Sequence, residues 1–327
     1  MGRWLARRLI ITAVTFLGIS LLVFTLMRLT PVDPVDLLLF NLRQSGGLST
    51  EDIQRIRETY RIALGLDQPI PIQYLLWVRE AVTNGSLGFS FVSGRPSLEM
   101  VLERVPPTLI LMGTALALEL VIGIPLGILA ALRRNRVTDY VVSAFGLSIV
   151  AVPSFFLGLA AIYVFSVRLN ALPAGGMFTP TSRGVDLVDV ARHLIMPALI
   201  LGLAGMGPII RYVRTSIIET LGKEYLVTAR AKGLPRPAIV IRHAFPNALL
   251  PLITFVGIEV GRLMAGAFVV EQIFTWPGMG SLALDAINSR DYPVVQAFAI
   301  TVAMVVLAGN LLADLAYGVA DPRIRLE

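Results

Sequence analysis

The sequence contains no cysteine. Disulfides, thiolate metal sites and cysteine nucleophiles are therefore excluded, and the redox compartment stays undetermined. Histidine is nearly as scarce. His193 and His243 are the only two, too few for a histidine-rich metal centre. Charge is sparse: Asp, Glu, Lys and Arg make up 15% of the 327 residues, where a soluble domain carries roughly a quarter. No G-x-x-x-x-G-K-[ST] string occurs. The nearest, Leu221-Gly222-Lys223-Glu224, lacks both the glycine-rich loop and the hydroxyl residue, so the chain has no loop of its own to cradle ATP phosphates. H-E-x-x-H is absent too, which argues against an intramembrane metalloprotease.

What is present is apolar. Hydrophobic residues reach 55%, with a mean hydropathy of +0.75. A helix needs about 20 mostly apolar residues to cross the hydrocarbon core. Six segments meet or approach that length: Leu9–Met27, Thr108–Leu132, Tyr140–Val167, Leu194–Ile210, Ala248–Val270 and Val294–Leu312. The second contains Glu119 and the fifth contains Glu259 and Arg262. The expected fold class is an all-α membrane protein with six transmembrane helices.

Arginine and lysine in short loops set orientation. With the N-terminus inside, fifteen basic residues fall on the cytoplasmic side and four, Arg168, Arg183, Arg192 and Arg290, in the short outer loops. Eight more lie in the long outer segment, which counts little because long loops translocate regardless of charge. Both termini are therefore expected in the cytoplasm. The net charge of +6 reads as topology and not as nucleic-acid binding. The first apolar run spans 19 residues with no A-x-A site after it, so it is expected to stay as a span and not to be cleaved as a signal peptide. The chain divides into an N-terminal helix (1–28), an extracytoplasmic segment (29–107), a five-helix core (108–320) holding a cytoplasmic loop at 211–247, and a tail (321–327).

Within the outer segment, Ser49 opens a capping box with Asp52. Ile53, Ile56, Tyr60 and Leu64 follow at helical spacing, which predicts an amphipathic helix. Tyr74, Leu75, Trp77 and Val78 predict a second, of a kind that lies in the membrane interface. Gly257 and Gly261 with Ala265, and separately Gly202, Gly205 and Gly207, form small-residue stripes that permit close helix packing in lipid. Pro153, Pro197, Pro208 and Pro251 are candidate kinks.

The loop at 211–247 is the most informative stretch. Arg211–Leu221 continues the fourth span into water. Glu224–Lys232 is a short alanine-containing helix with charges that suit its dipole. Gly233 is placed to end it in a left-handed conformation, and Pro235 and Pro237 prevent continuation. A short capped helix beneath a membrane bundle is a rigid knob that can pass force to a soluble partner. Within the spans, Glu259 and Arg262 are three apart on one face and can pair. Intramembrane charges face a cavity or a partner, so the pair either lines a path for a polar solute or braces a subunit interface. Glu119 is a lone carboxylate, protonated or bonded to a neighbouring helix, and Glu271 lies near the outer end of the fifth span, where it can snorkel.

In Thr228-Ala229, Gly233 and Pro246, thirteen residues beyond that glycine, the loop resembles the cytoplasmic signature of bacterial ABC importer permeases. E-Y-L-V-T-A-R-A-K-G-L (224–234) and R-H-A-F-P-N-A-L-L-P (242–251) resemble the dipeptide/oligopeptide/nickel class, first permease subunit. So do R-W-L-A-R-R-L (3–9), P-V-D-P (31–34), L-G-L-D-Q-P (64–69), G-I-P-L-G-I-L-A-A-L-R-R (123–134), F-T-W-P-G-M-G (274–280), R-D-Y-P-V-V-Q (290–296) and D-P-R-I-R (321–325). Val32 and Val227 depart from the usual Gly and Arg.

The resemblance implies a type I importer permease fold, no catalytic residues and no cofactor in this chain. ATP and magnesium would be bound by two partner ATPase subunits. A second homologous permease and an extracytoplasmic solute-binding protein would complete the machine. It implies coupling to the ATPase through Glu224, Tyr225, Thr228, Ala229, Arg230, Ala231, Lys232 and Gly233. Glu259, Arg262, Glu271 and Glu119 are the candidate path residues. The expected solutes are di- or oligopeptides, with oligosaccharide, nickel complex or glutathione as alternatives. A passive channel would not need the capped knob.

Overall fold

The computed structural model describes residues 2–29, 35, 50–63, 66–180, 186–224, 226, 233, 235, 239, 242 and 244–320. They form α1 (Gly2–Arg28), α2 (Thr50–Ala63), α3 (Ile70–Asn84), α4 (Ser97–Leu102), α5 (Val105–Leu132), α6 (Val137–Ala151), α7 (Ser154–Ala161, continued as a π-helix over Ile162–Arg168), α8 (Leu187–Leu221), α9 (Phe245–Ile273), α10 (Met279–Asn288) and α11 (Tyr292–Ala320). Among the described residues, four helices are long and apolar enough to cross a membrane by themselves: α1, the stretch Ser97–Leu132, α8 and α11. A fifth crossing results if α6 and α7 are one span. The 29 residues of α9 carry Glu259, Arg262 and Glu271.

The third span expected at Tyr140–Val167 is broken at Pro153, one of the candidate kinks. The chain bends by 95° between α6 and α7. Val152 is extended (φ −94°, ψ 126°) and Pro153 follows it at φ −58°. The proline ring disfavours the helical region for its predecessor and offers no N–H to the preceding turn, so the helix stops there. Pro125, Pro197 and Pro208, in contrast, sit inside continuous helices.

The contacts divide the chain into two compact units. The first comprises Met1–Leu5, Pro106–Ser281 and Ala308–Glu327. Its hub is α8, which packs on α6, α7 and α9. Met196, Ala198, Leu201, Met206, Ile209, Ile210, Val213 and Ile217 bury nearly the whole circumference of α8, as expected for a central helix. Asp186 caps it by accepting from the Val188 N–H at 2.9 Å. At 35 residues it is about 52 Å long, well beyond a hydrocarbon core of about 30 Å. The helix therefore runs through Arg211 to Leu221 without a break, as the sequence predicted.

The glycine stripe of α8 does not serve a single neighbour. A Cβ on Gly202 would lie 2.9 Å from the Ala115 carbonyl oxygen of α5. Gly207 meets Gly146 of α6, where a Cβ on Gly146 would come within 3.2 Å of the Gly207 Cα. Gly205 abuts the side chains of Glu119 and Arg262. Between them the three glycines admit α5, α6 and α9, which is how one helix keeps several close neighbours in lipid.

The second unit comprises Ala6–Val105 and Leu282–Leu307. Phe24 of α1 is fully buried, with ring centroids 5.5 Å from Tyr74 and 5.7 Å from Trp77. Ser20 Oγ and Tyr74 Oη are 2.7 Å apart. Tyr74 and Trp77, both half-buried, turn towards α1, while Leu75 is exposed. The helix ends at Gly85 in the left-handed conformation, φ 64°. In the same unit Asp291 is buried at the start of α11. It accepts from Ser90 Oγ at 2.5 Å and the Phe91 N–H at 3.0 Å, fastening the turn before α4.

Candidate functional site

Four groups of polar residues stand out, all in the first unit. The first is the segment after α8. Tyr225, Thr228, Ala229, Arg230, Ala231 and Lys232 lie outside the described residues, while Glu224 and Gly233 are described and exposed. Gly233 has φ +76° with open space where a Cβ would stand, a conformation that glycine enters at no steric cost. Leu226, Ile239 and Ala244 are buried and cluster with Leu221 at the end of α8. Both the outgoing and the returning chain are thus pinned beneath that helix. The charged and small residues of this loop drew attention in the sequence. Its anchors, Leu226 and Ile239, did not, because single apolar residues in a loop carry no periodic signal.

The second group is ionic and lies among α5, α8 and α9. Arg262 donates from Nε to Glu259 and from Nη2 to Glu119 Oε1. Glu119 and Glu259 are both buried, whereas the Arg262 side chain keeps 31% of its surface exposed. Glu119 Oε2 has no hydrogen-bond partner among the described residues. The pair expected from the i,i+3 spacing is present, and Glu119 joins it from α5. Of the two alternatives for Glu119, the structure has the bond to a neighbouring helix. Gly205 makes this possible, since any side chain there would occupy the space of the guanidinium and the carboxylate.

The third group corrects an expectation. Glu271 does not snorkel. It is fully buried; Thr108 Oγ1 donates to its Oε1 at 2.6 Å, and its Oε2 accepts from the Gly280 N–H at 2.7 Å and the Ser281 N–H at 3.3 Å. Thr108 in turn accepts from the Met279 N–H at 2.8 Å. The carboxylate thus serves the orphan donors at the start of α10, where helix charge also favours an anion. The string F-T-W-P-G-M-G explains itself here. Phe274 and Trp276 are buried, and Trp276 Nε1 donates to the Pro107 carbonyl at 2.9 Å. Gly278 and Gly280 leave room for the Glu271 carboxylate.

The fourth group escaped the sequence reading. Arg214 of α8, counted there only for topology, forms a two-pronged pair with Asp139 of α6: Nε to Oδ1 at 2.6 Å and Nη2 to Oδ2 at 2.8 Å. Asp139 is buried and also accepts from the Asn135 N–H at 2.9 Å.

Among the described residues, none of these groups combines a nucleophile with a base; they are braces, an anchored loop after α8 and one ionic cluster within long apolar helices. That is the build of a membrane transport component. Known proteins agree. Residues 123–326 match the family described as binding-protein-dependent transport system inner membrane component, and residues 1–112 match its N-terminal companion family. The chain belongs to this family and is a multi-pass permease of the bacterial inner membrane.

A Brucella ovis protein is 40% identical across all 327 residues of this chain and the whole of its own. The oligopeptide transport system permease protein AppB of Bacillus subtilis is 38% identical over 325 residues, 99% of each chain. The dipeptide transport system permease protein DppB of Escherichia coli K12 is 38% identical over 346 residues, again 99% of each. Among solved structures, an inward-facing MetNI methionine ABC transporter covers 66% of this chain and 95% of its own, at TM-score 0.51 and 18% identity. That likeness establishes the fold of an ABC transporter permease.

Proposed function

We propose that this chain is one of two homologous permease subunits in an ATP-driven importer of di- and oligopeptides, supplied by an extracytoplasmic solute-binding protein. The observation that carries this reading is the end-to-end identity, at 38%, with both a dipeptide and an oligopeptide permease. Two partner ATPase subunits bind ATP and magnesium, and this chain holds no cofactor. The chain crosses six times, through α1, α5, the bent α6–α7 pair, α8, α9 and α11, with both termini in the cytoplasm. Residues 29–107 then lie outside, 108–320 form the core, and 321–327 form a cytoplasmic tail.

This topology puts residues 224–233 on the ATP side. There Tyr225 and Ala229 enter a groove of the ATPase, and Arg230 and Lys232 pair with acids at its rim. Glu224, Thr228, Ala231 and Gly233 maintain the helix and its stop. The anchoring of Leu226, Ile239 and Ala244 under Leu221 supports this reading, because a docking knob must be fastened to the helix it moves. Glu119, Glu259 and Arg262 face the solute path; the partial exposure of Arg262 beside two buried carboxylates supports that assignment.

The test is uptake of labelled dipeptide into proteoliposomes containing the full complex. Gly233→Pro and Ala229→Glu are expected to abolish uptake and ATPase stimulation while the protein stays in the membrane. Wild-type uptake in either variant would remove the coupling role. Failure of the intact complex to accumulate any peptide would remove the substrate assignment.

A further inference from the structure

Asp139 and Gly146 are seven residues apart on α6, and Arg214 and Gly207 are seven apart on α8. The ion pair joins 139 to 214 and the glycine contact joins 146 to 207. The two helices are therefore antiparallel and in register over this stretch, tied at two points two turns apart. Val142 and Ile210 are packed in one cluster between the ties. On its other side α8 meets α5 just as closely: a Cβ on Gly127 would come 2.8 Å from Val213 Cβ and 2.9 Å from the Ile210 carbonyl oxygen.

The ion-pair tie is two-pronged. Arginine contacts a carboxylate through two parallel N–H donors, which fixes distance and angle together. The carboxylate is itself fixed, because the Asn135 N–H, from a residue at φ +60°, donates to the same Oδ2. Arg214 lies seven residues before Leu221, where α8 ends and the anchored segment begins. A displacement of that segment enters α8 at Leu221, passes the apolar cluster that holds Ile217 against Ala131 and Leu252, and reaches the ion-paired Arg214. Beyond Asp139, α6 runs to the break at Val152–Pro153.

We propose that the Asp139–Arg214 pair is a strut that transmits movement of the 224–233 segment from α8 to α6, so that ATP hydrolysis at the partner drives the bent α6–α7 span. The pair positions helices and does not touch solute. This inference rests on the docking role proposed for residues 224–233.

The test uses the complex in proteoliposomes and exploits the absence of cysteine from this chain. Asp139→Asn and Arg214→Met are expected to co-purify with the ATPases and to hydrolyse ATP. Their peptide uptake per ATP should fall about tenfold, in the upper range for substitutions along a coupling route. In Asp139→Cys/Arg214→Cys, uptake per ATP should be equally low and should recover at least about fivefold after joining the thiols with a short bifunctional reagent. The single cysteine variants, treated alike, should show no recovery. Undiminished uptake in both single-site variants overturns the strut, and so does a loss that cross-linking fails to restore. If the unaltered chain does not hold an ATPase at all, the docking reading itself falls.

Discussion

Thr108 and Glu271, on different helices, are joined by a 2.6 Å hydrogen bond in which the threonine hydroxyl donates while accepting from the Met279 N–H. One hydroxyl thus links the start of α5, the end of α9 and the start of α10. Glu271→Ala would leave the Thr108 hydroxyl and the Gly280 and Ser281 N–H groups without their acceptor. Each buried unsatisfied group costs about 1–3 kcal/mol, so the detergent-solubilised protein should melt at a clearly lower temperature. Glu271→Gln keeps one acceptor oxygen and should melt in between. Equal melting of all three would show that the network contributes nothing.

Gly207→Ala is expected to destabilise the bundle by about 1–3 kcal/mol, the usual cost of overpacking. The added methyl would run into the Gly146 carbonyl of α6 and into Val150. Gly113→Ala, on α5, has open space at that position and should be neutral or mildly stabilising, since alanine favours helix over glycine. Thermal unfolding followed by tryptophan fluorescence separates the two.

Arg262→Met should be far more damaging than its neutralised counterpart. Alone, it strands Glu119 and Glu259 as buried acids, and breaking one partner of a buried pair costs about 3–5 kcal/mol. With Glu119→Gln and Glu259→Gln added, folding should recover. Uptake by that triple variant then reports on the path: changed peptide affinity with normal assembly supports contact with solute, whereas lost assembly with the partner permease assigns the cluster to an interface.

Trp77→Ala removes a ring that packs on Phe24 5.7 Å away. Trp77 is half-buried, so its loss should cost less than the roughly 3–5 kcal/mol of a fully enclosed aromatic. The local signature should be faster backbone hydrogen exchange in α3. Leu75→Ala, on the exposed side, should leave exchange unchanged.

Much of the helical layout was legible because lipid imposes long continuous apolar runs, which length and hydropathy alone reveal. The Glu259–Arg262 pair was legible because i,i+3 spacing is local. Glu119 joining them was not, since the contact depends on α5 and α9 meeting beside Gly205. Asp139–Arg214 was hidden for the same reason, 75 positions apart in the chain. Glu271 misled the reading because a carboxylate near a span end has two outcomes, water or a helix N-terminus. The string F-T-W-P-G-M-G just after it was the available clue. The break at Val152–Pro153 was visible as a proline, but Pro197 and Pro208 show that proline alone does not decide. The bend follows from Val152 leaving the helical region before it.

The uninterrupted length of α8 has a mechanical consequence. A rod of about 52 Å pivoting near its middle has two arms of about 26 Å. A tilt of only about 10° then carries each end through about 4–5 Å, close to one helical turn of 5.4 Å. Leu187 and Leu221 are the ends of that rod. A push at one is returned at the other in the opposite direction, less whatever bending Pro197 and Pro208 absorb between them.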